Sequence, residues 1–214
     1  MKLNALALTT IALVLVAAVV GAALYGQLPD RVATHFDVHG RPDGFSPKAV
    51  VVVVEPLVLA LLGLMFIVLP RIAPKGFRLE PFLRVYEVIA IAVLAMLFAD
   101  MLLPLWLALG HRVEPDRAIT LGLGLLLIVI GNYLGKVTRN FFVGIRTPWT
   151  LASEEVWLRT HRLGGVLFVA GGAVILIGAF AGGTSALAVT LTVIIGIAAF
   201  LTVYSYVIYR RIEG

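Results

Sequence analysis

"GNYLGKVTRNFFVGIRTPWTLASEEVWLRTHRLGG", residues 131–165, is the most polar long segment of a very apolar chain. It is rich in Arg, Trp, Asn and Thr, and an apolar run lies on each side of it. Those flanking runs, 118–135 and 163–181, are about the length a helix needs to cross a hydrocarbon core. Four more runs of that kind lie at roughly 3–25, 49–69, 83–109 and 185–208. Of the 214 residues, 61% are hydrophobic and only 14% charged, too little polar surface to cover a water-soluble body. The expectation is an all-α polytopic membrane protein with six transmembrane helices. The first run is longer than the apolar core of a signal peptide and reads as a retained span.

Six spans place both termini on one side. Arg31, Arg41, Lys48, Arg112 and Arg117 fall on the opposite side, and the other twelve of the seventeen Lys and Arg residues fall on the terminal side. The positive-inside bias therefore predicts cytoplasmic termini and a cytoplasmic segment 131–165. Residues 1–69 read as a two-span hairpin around an extracytoplasmic loop, 26–48. Residues 70–214 read as a four-span region that carries the motif loop. There is no cysteine, so disulfides and thiolate chemistry are excluded. No GxSxG is present either, and catalysis has little support.

Within 131–165, Thr147-Pro148 suits a helix start, with Thr as N-cap and Pro at the first helical position. Residues 151–162 are helix-compatible, and Glu155 and Arg159 stand i,i+4 in the favourable order. Trp149, Val156, Trp157 and Leu158 suit burial at the headgroup boundary. A short cytoplasmic interfacial helix is expected there. On local physics this is either an ordinary basic loop or a docking surface whose Arg139, Arg146 and Arg162 hold carboxylates or lipid phosphates.

The string Asn140-Phe141-Phe142-Val143-Gly144-Ile145-Arg146-Thr147-Pro148-Trp149-Thr150-Leu151, with Glu154-Glu155-Val156-Trp157 and Thr160-His161-Arg162 after it, closely resembles the SdpI/YfhL family of bacterial membrane immunity proteins. Residues 28–48, "LPDRVATHFDVHGRPDGFSPK", resemble a small domain of unknown function that often precedes that region. The resemblance implies protection against a secreted, membrane-active peptide toxin. It also implies possible signal transduction, in which a cytoplasmic transcriptional repressor is held at the membrane. On that reading Asn140, Arg146, Thr147, Pro148, Trp149, Trp157, His161 and Arg162 bind a partner inside, and His35, Asp43 and Lys48 sense outside. Partners would be lipid, toxin and repressor, with no direct contact to nucleic acid and no cofactor.

Two other readings stand beside it. His35 and His39, four apart, would share a helix face and could bind zinc in a membrane metalloenzyme, although no third ligand is evident. Glu55, Glu87 and Asp100, together with the amide of Asn132, are polar groups in or near the apolar runs. Intramembrane carboxylates usually face a bundle interior, and Asp100 could be the relay of a small proton-coupled transporter. Glycines 122, 124, 171, 172 and 178 permit close helix contact within or between chains.

Overall fold

A computed structural model describes residues 5–214; Lys2, counted in the charge bias, lies outside the described residues. Six helices are long and apolar enough to span a membrane. They are α1 (Ala5–Leu24), α2 (Lys48–Ile72), α3 (Leu83–Ala108), α4 (Pro115–Leu134), α6 (Glu154–Gly178) and α7 (Gly183–Ile212), with α5 (Pro148–Ala152) a single short turn before α6. The chain is a polytopic, mainly helical membrane protein. Leu8, Leu15, Val53, Leu61, Ile195 and Val203 are among the apolar side chains turned outward, as lipid permits and water does not.

The helices alternate in direction. The ends near Ala5, Ile72, Leu83, Leu134, Glu154 and Ile212 form one face, the motif end. The other face is the hairpin end. Helix α3 packs against α1, α2 and α4, while α6 packs against both α4 and α7.

The α4–α6 contact is the tightest. A Cβ at Gly131 would lie 2.7 Å from the Gly165 carbonyl oxygen, and one at Gly172 only 2.6 Å from that of Gly124. Both glycine pairs repeat at seven residues, two helical turns, so two backbones meet along one seam. Gly131 and Gly165 lie at the edges of the motif segment.

The loop between α1 and α2 departs from expectation. In place of a helix that would align His35 and His39, it forms an antiparallel hairpin, β1 (Arg31–Phe36) and β2 (Pro42–Pro47). The residues explain this. Val32 and Thr34 alternate with exposed Arg31 and His35, and Asp37-Val38-His39-Gly40 closes the turn with Gly40 at φ +72°. The hairpin is seated by Leu28 and Val32, which are buried with Val51 of α2 and Leu105 of α3.

A second departure concerns 151–162. Ser153 is extended (φ −128°, ψ 129°) and cuts α5 from α6, and Glu154 onward continues unbroken into the span. A helix does begin at Pro148 as α5, but 154–162 belong to the span, and a separate interfacial helix over 151–162 is not confirmed. The buried positions Val156, Trp157, Thr160, His161, Gly164, Gly165, Gly171, Gly172 and Ile175 form one stripe at helical period. Burial continues through the segment, so no boundary separates a surface helix from a span.

Candidate functional site

The segment between α4 and α6 folds into a knot at the motif end. Asn140 is fully buried and organises the first half. Its Nδ2 donates to the carbonyls of Thr138 (2.8 Å) and Val143 (3.0 Å). Its Oδ1 accepts from the N–H groups of Phe142 (2.8 Å) and Val143 (2.7 Å). All four bonding directions of the amide are used on backbone. Asn140→Asp replaces both donors with an anion facing two carbonyls. The expected loss is at least about 3 kcal/mol, read as a lower midpoint of thermal unfolding in detergent.

Thr147 caps α5: its Oγ1 accepts from Thr150 N–H, and Thr150 Oγ1 accepts from Thr147 N–H at 2.9 Å. Pro148 follows at the first helical position, as expected. Thr147 Oγ1 also reaches Ser205 Oγ of α7 at 2.9 Å, and Trp149 packs on Tyr206 with ring centroids 5.0 Å apart. The cap is thereby tied to the last span.

His161 joins the halves. Its ring stacks on Trp157 at 3.9 Å, with an interplanar angle of 16°. Ile145 N–H donates to Nε2 at 2.9 Å, and Nδ1 lies 2.9 Å from the Trp157 carbonyl. Only the neutral ring with its proton on Nδ1 satisfies both contacts. Trp157 Nε1–H donates to the Val137 carbonyl at 2.7 Å. Trp157, Val137, Leu79 and Tyr86 belong to one core, so the knot also grips α3 and the loop before it. Arg139 donates to the Leu151 carbonyl at 3.0 Å and lies over the ring of Phe77, 5.3 Å from its centroid.

Gly144 must be glycine. It has φ +117°, and a Cβ there would lie 2.3 Å from His161 Nε2.

The eight inner residues picked from sequence therefore come together, but with two orientations. Asn140, Thr147, Trp157 and His161 are buried, and their polar atoms bond within the knot. Arg146, Pro148 and Arg162 are exposed and Trp149 is half-buried. Gly144, Thr150, Ser205 and Val137 complete the knot. Only the first two lie in the recognised string; Ser205 is 58 residues from Thr147, and nothing in its own neighbourhood marks it.

At the hairpin end, exposed His35 Nδ1 sits 2.5 Å from Asp43 Oδ1. Lys48 Nζ reaches Asp30 Oδ1 and the Leu28 carbonyl, each at 3.2 Å, and lies over Tyr25. These contacts fix the base of the hairpin and leave His35, Asp43 and Phe45 on its surface. His39 stands in the turn. Among the described residues no three His, Cys, Asp or Glu side chains are grouped as metal ligands. The Arg41 backbone N–H, with that of His39, holds the Asp37 carboxyl below its usual range. That contribution to the turn is complete at neutral pH and is lost only as pH falls through the lowered value. The turn docks on the bundle, where Asp116 of α4 lies beside Gly40 and accepts from Gly183 N–H at 2.6 Å.

Of the polar groups in the spans, Glu55 and Asp100 line one cavity of about 260 Å³ beneath Thr34 of the hairpin. Asp100 also borders a cavity of about 500 Å³ between α3 and α4. Glu87 is half-buried toward the motif end of α3. Asn132 is exposed and donates to the Ile128 carbonyl of its own helix at 2.9 Å.

The knot spans the loop, the start of α6 and the last third of α7, and the comparison with known proteins covers the same stretch. Residues 136–208 match the SdpI/YfhL protein family. Residues 12–60, which hold the hairpin, match a domain of unknown function (DUF1648). The immunity protein SdpI of Bacillus subtilis (strain 168) is 26% identical over 214 residues, covering 100% of this chain and 99% of that protein. No solved structure matches the chain. The SdpI/YfhL match begins at Lys136, immediately after α4, so the family region holds the knot, α6 and most of α7. The α4 half of the glycine seam lies outside it.

Proposed function

We propose that this protein protects the cell that carries it against a secreted, membrane-active peptide, by binding and without covalent chemistry. The observation that carries this reading is the end-to-end similarity to an immunity protein. The bias of Lys and Arg toward the motif end supports a cytoplasmic knot and termini, with the hairpin outside. The hairpin then presents His35, Asp43 and Phe45 to the peptide. On the other side Pro148, Trp149 and Arg162 offer a face on which a cytoplasmic repressor would be held while the peptide is bound.

The test is survival of a susceptible bacterium that expresses the chain when challenged with secreted, membrane-active peptide toxins. Replacing residues 35–45 with a Gly/Ser turn, while keeping Leu28, Val32 and Lys48, removes the contact surface and preserves its seat. Protection is expected to disappear at unchanged membrane abundance. Unaltered protection would refute the hairpin's role.

A second reading, proton-coupled transport, is favoured by one feature, the shared cavity of Glu55 and Asp100. It expects Glu55→Gln with Asp100→Asn to abolish protection; the binding reading expects protection to survive that pair.

A further inference from the structure

We infer that the groove headed by Arg146 is a binding site for one anionic phospholipid. A cavity of about 360 Å³ opens between α4, α6 and α7, with Arg146, Thr147 and Thr202 at its mouth and Phe168, Ile194 and Ile197 along its walls. Arg146 is the only charged residue that lines it, and among the described residues it has no carboxylate partner.

The guanidinium is held in place at the mouth. Its Nη1 donates to the Phe141 carbonyl at 2.5 Å, which leaves further N–H donors for an incoming anion. The hydroxyls beside it are uncharged and already bonded, Thr202 Oγ1 to the Ala198 carbonyl of its own helix and Thr147 Oγ1 to Ser205 Oγ, so neither neutralises the guanidinium. The neighbouring Trp149–Tyr206 pair has the amphipathic character of residues at headgroup level.

Below that level the walls are apolar. From Thr202 to Ile194 the groove follows eight residues of α7, roughly 12 Å at the helical rise. An inorganic phosphate would use the cation and waste the walls. A glycerophospholipid uses both, with its phosphate on Arg146 and an acyl chain along Phe168 and Ile194. A cationic site at the membrane boundary between spans suits an anionic headgroup.

The experiment is native mass spectrometry of full-length protein released from bilayers of equal phosphatidylglycerol and phosphatidylcholine. Wild type is expected to retain phosphatidylglycerol in preference. Arg146→Gln, at an exposed position, is expected to lower that preference about tenfold, the loss of one charge-assisted contact. Arg146→Lys keeps part of it. Ala198→Trp, from the exposed wall of α7, fills the groove and removes the lipid with the charge intact. Soluble glycerol 3-phosphate is expected not to displace the lipid. An unchanged preference in Arg146→Gln, lipid retained by Ala198→Trp, or displacement by glycerol 3-phosphate each overturns the inference.

Discussion

Gly131→Leu is expected to leave little folded protein. The backbone of α6 stands where the new side chain would begin: a Cβ at 131 meets the Gly165 carbonyl at 2.7 Å and Val169 N at 2.8 Å. Backbone atoms cannot rotate aside as a side-chain tip can. The two helices must separate, and the Gly124–Gly172 contact two turns away opens with them. Overpacking of a core commonly costs about 1–3 kcal/mol, and a clash with backbone lies at or beyond the top of that range. Gly196→Leu is the control, since a Cβ there meets nothing within 4 Å. Size-exclusion profiles in detergent should show aggregated Gly131→Leu and a monodisperse Gly196→Leu. Equal profiles would mean that the seam is not needed for folding.

Trp157→Ala is expected to unfold the knot while the spans persist. It empties the largest fully buried site, unstacks His161 and leaves the Val137 carbonyl without its donor. Truncating a buried aromatic of this size costs about 3–5 kcal/mol. Trp157→Phe separates the two contributions. It keeps most of the apolar volume and loses the indole N–H, so about 1–3 kcal/mol is expected. Limited proteolysis around Arg139 and Arg146 reads the effect, with cleavage fastest in the Ala variant, slower in Phe and slowest in wild type. Equal rates in all three would show that Trp157 does not hold the loop.

The membrane class, the number of spans and their rough limits were legible because lipid demands long apolar runs, and composition records such runs directly. The capping of α5 was legible for a related reason. Thr147, Pro148 and Thr150 act within one turn, and local chemistry needs no distant partner. The hairpin was not legible within the loop 26–48 because residues 31–36 and 42–47 are short and polar. Their alternation acquires meaning only against Val51 and Leu105, which come from other spans. The placement of Trp157 was not legible because an indole suits a headgroup boundary as well as a core. Burial by Leu79, Val137 and Tyr86 decides between them, and these residues lie 20 to 78 positions away.

The orientation of the motif residues shows the same division. Asn140 and His161 have the polar chemistry of a recognition surface, and a string of such residues reads as one. In the fold, the atoms that could recognise a partner are spent on Thr138, Val143, Ile145 and Trp157. Arg146 and Arg162 kept the exposure expected of them.

By itself the sequence determined that this chain suits lipid, has six runs long enough to cross it and carries a string resembling the SdpI/YfhL family, because hydropathy and a contiguous string are properties of neighbours along the chain. Only the tertiary structure decided which motif residues face inward, that Glu55 and Asp100 share a cavity, and that glycines seven apart on two helices meet. Those are distances between residues far apart in sequence, set when whole helices pack and invisible to any local pattern.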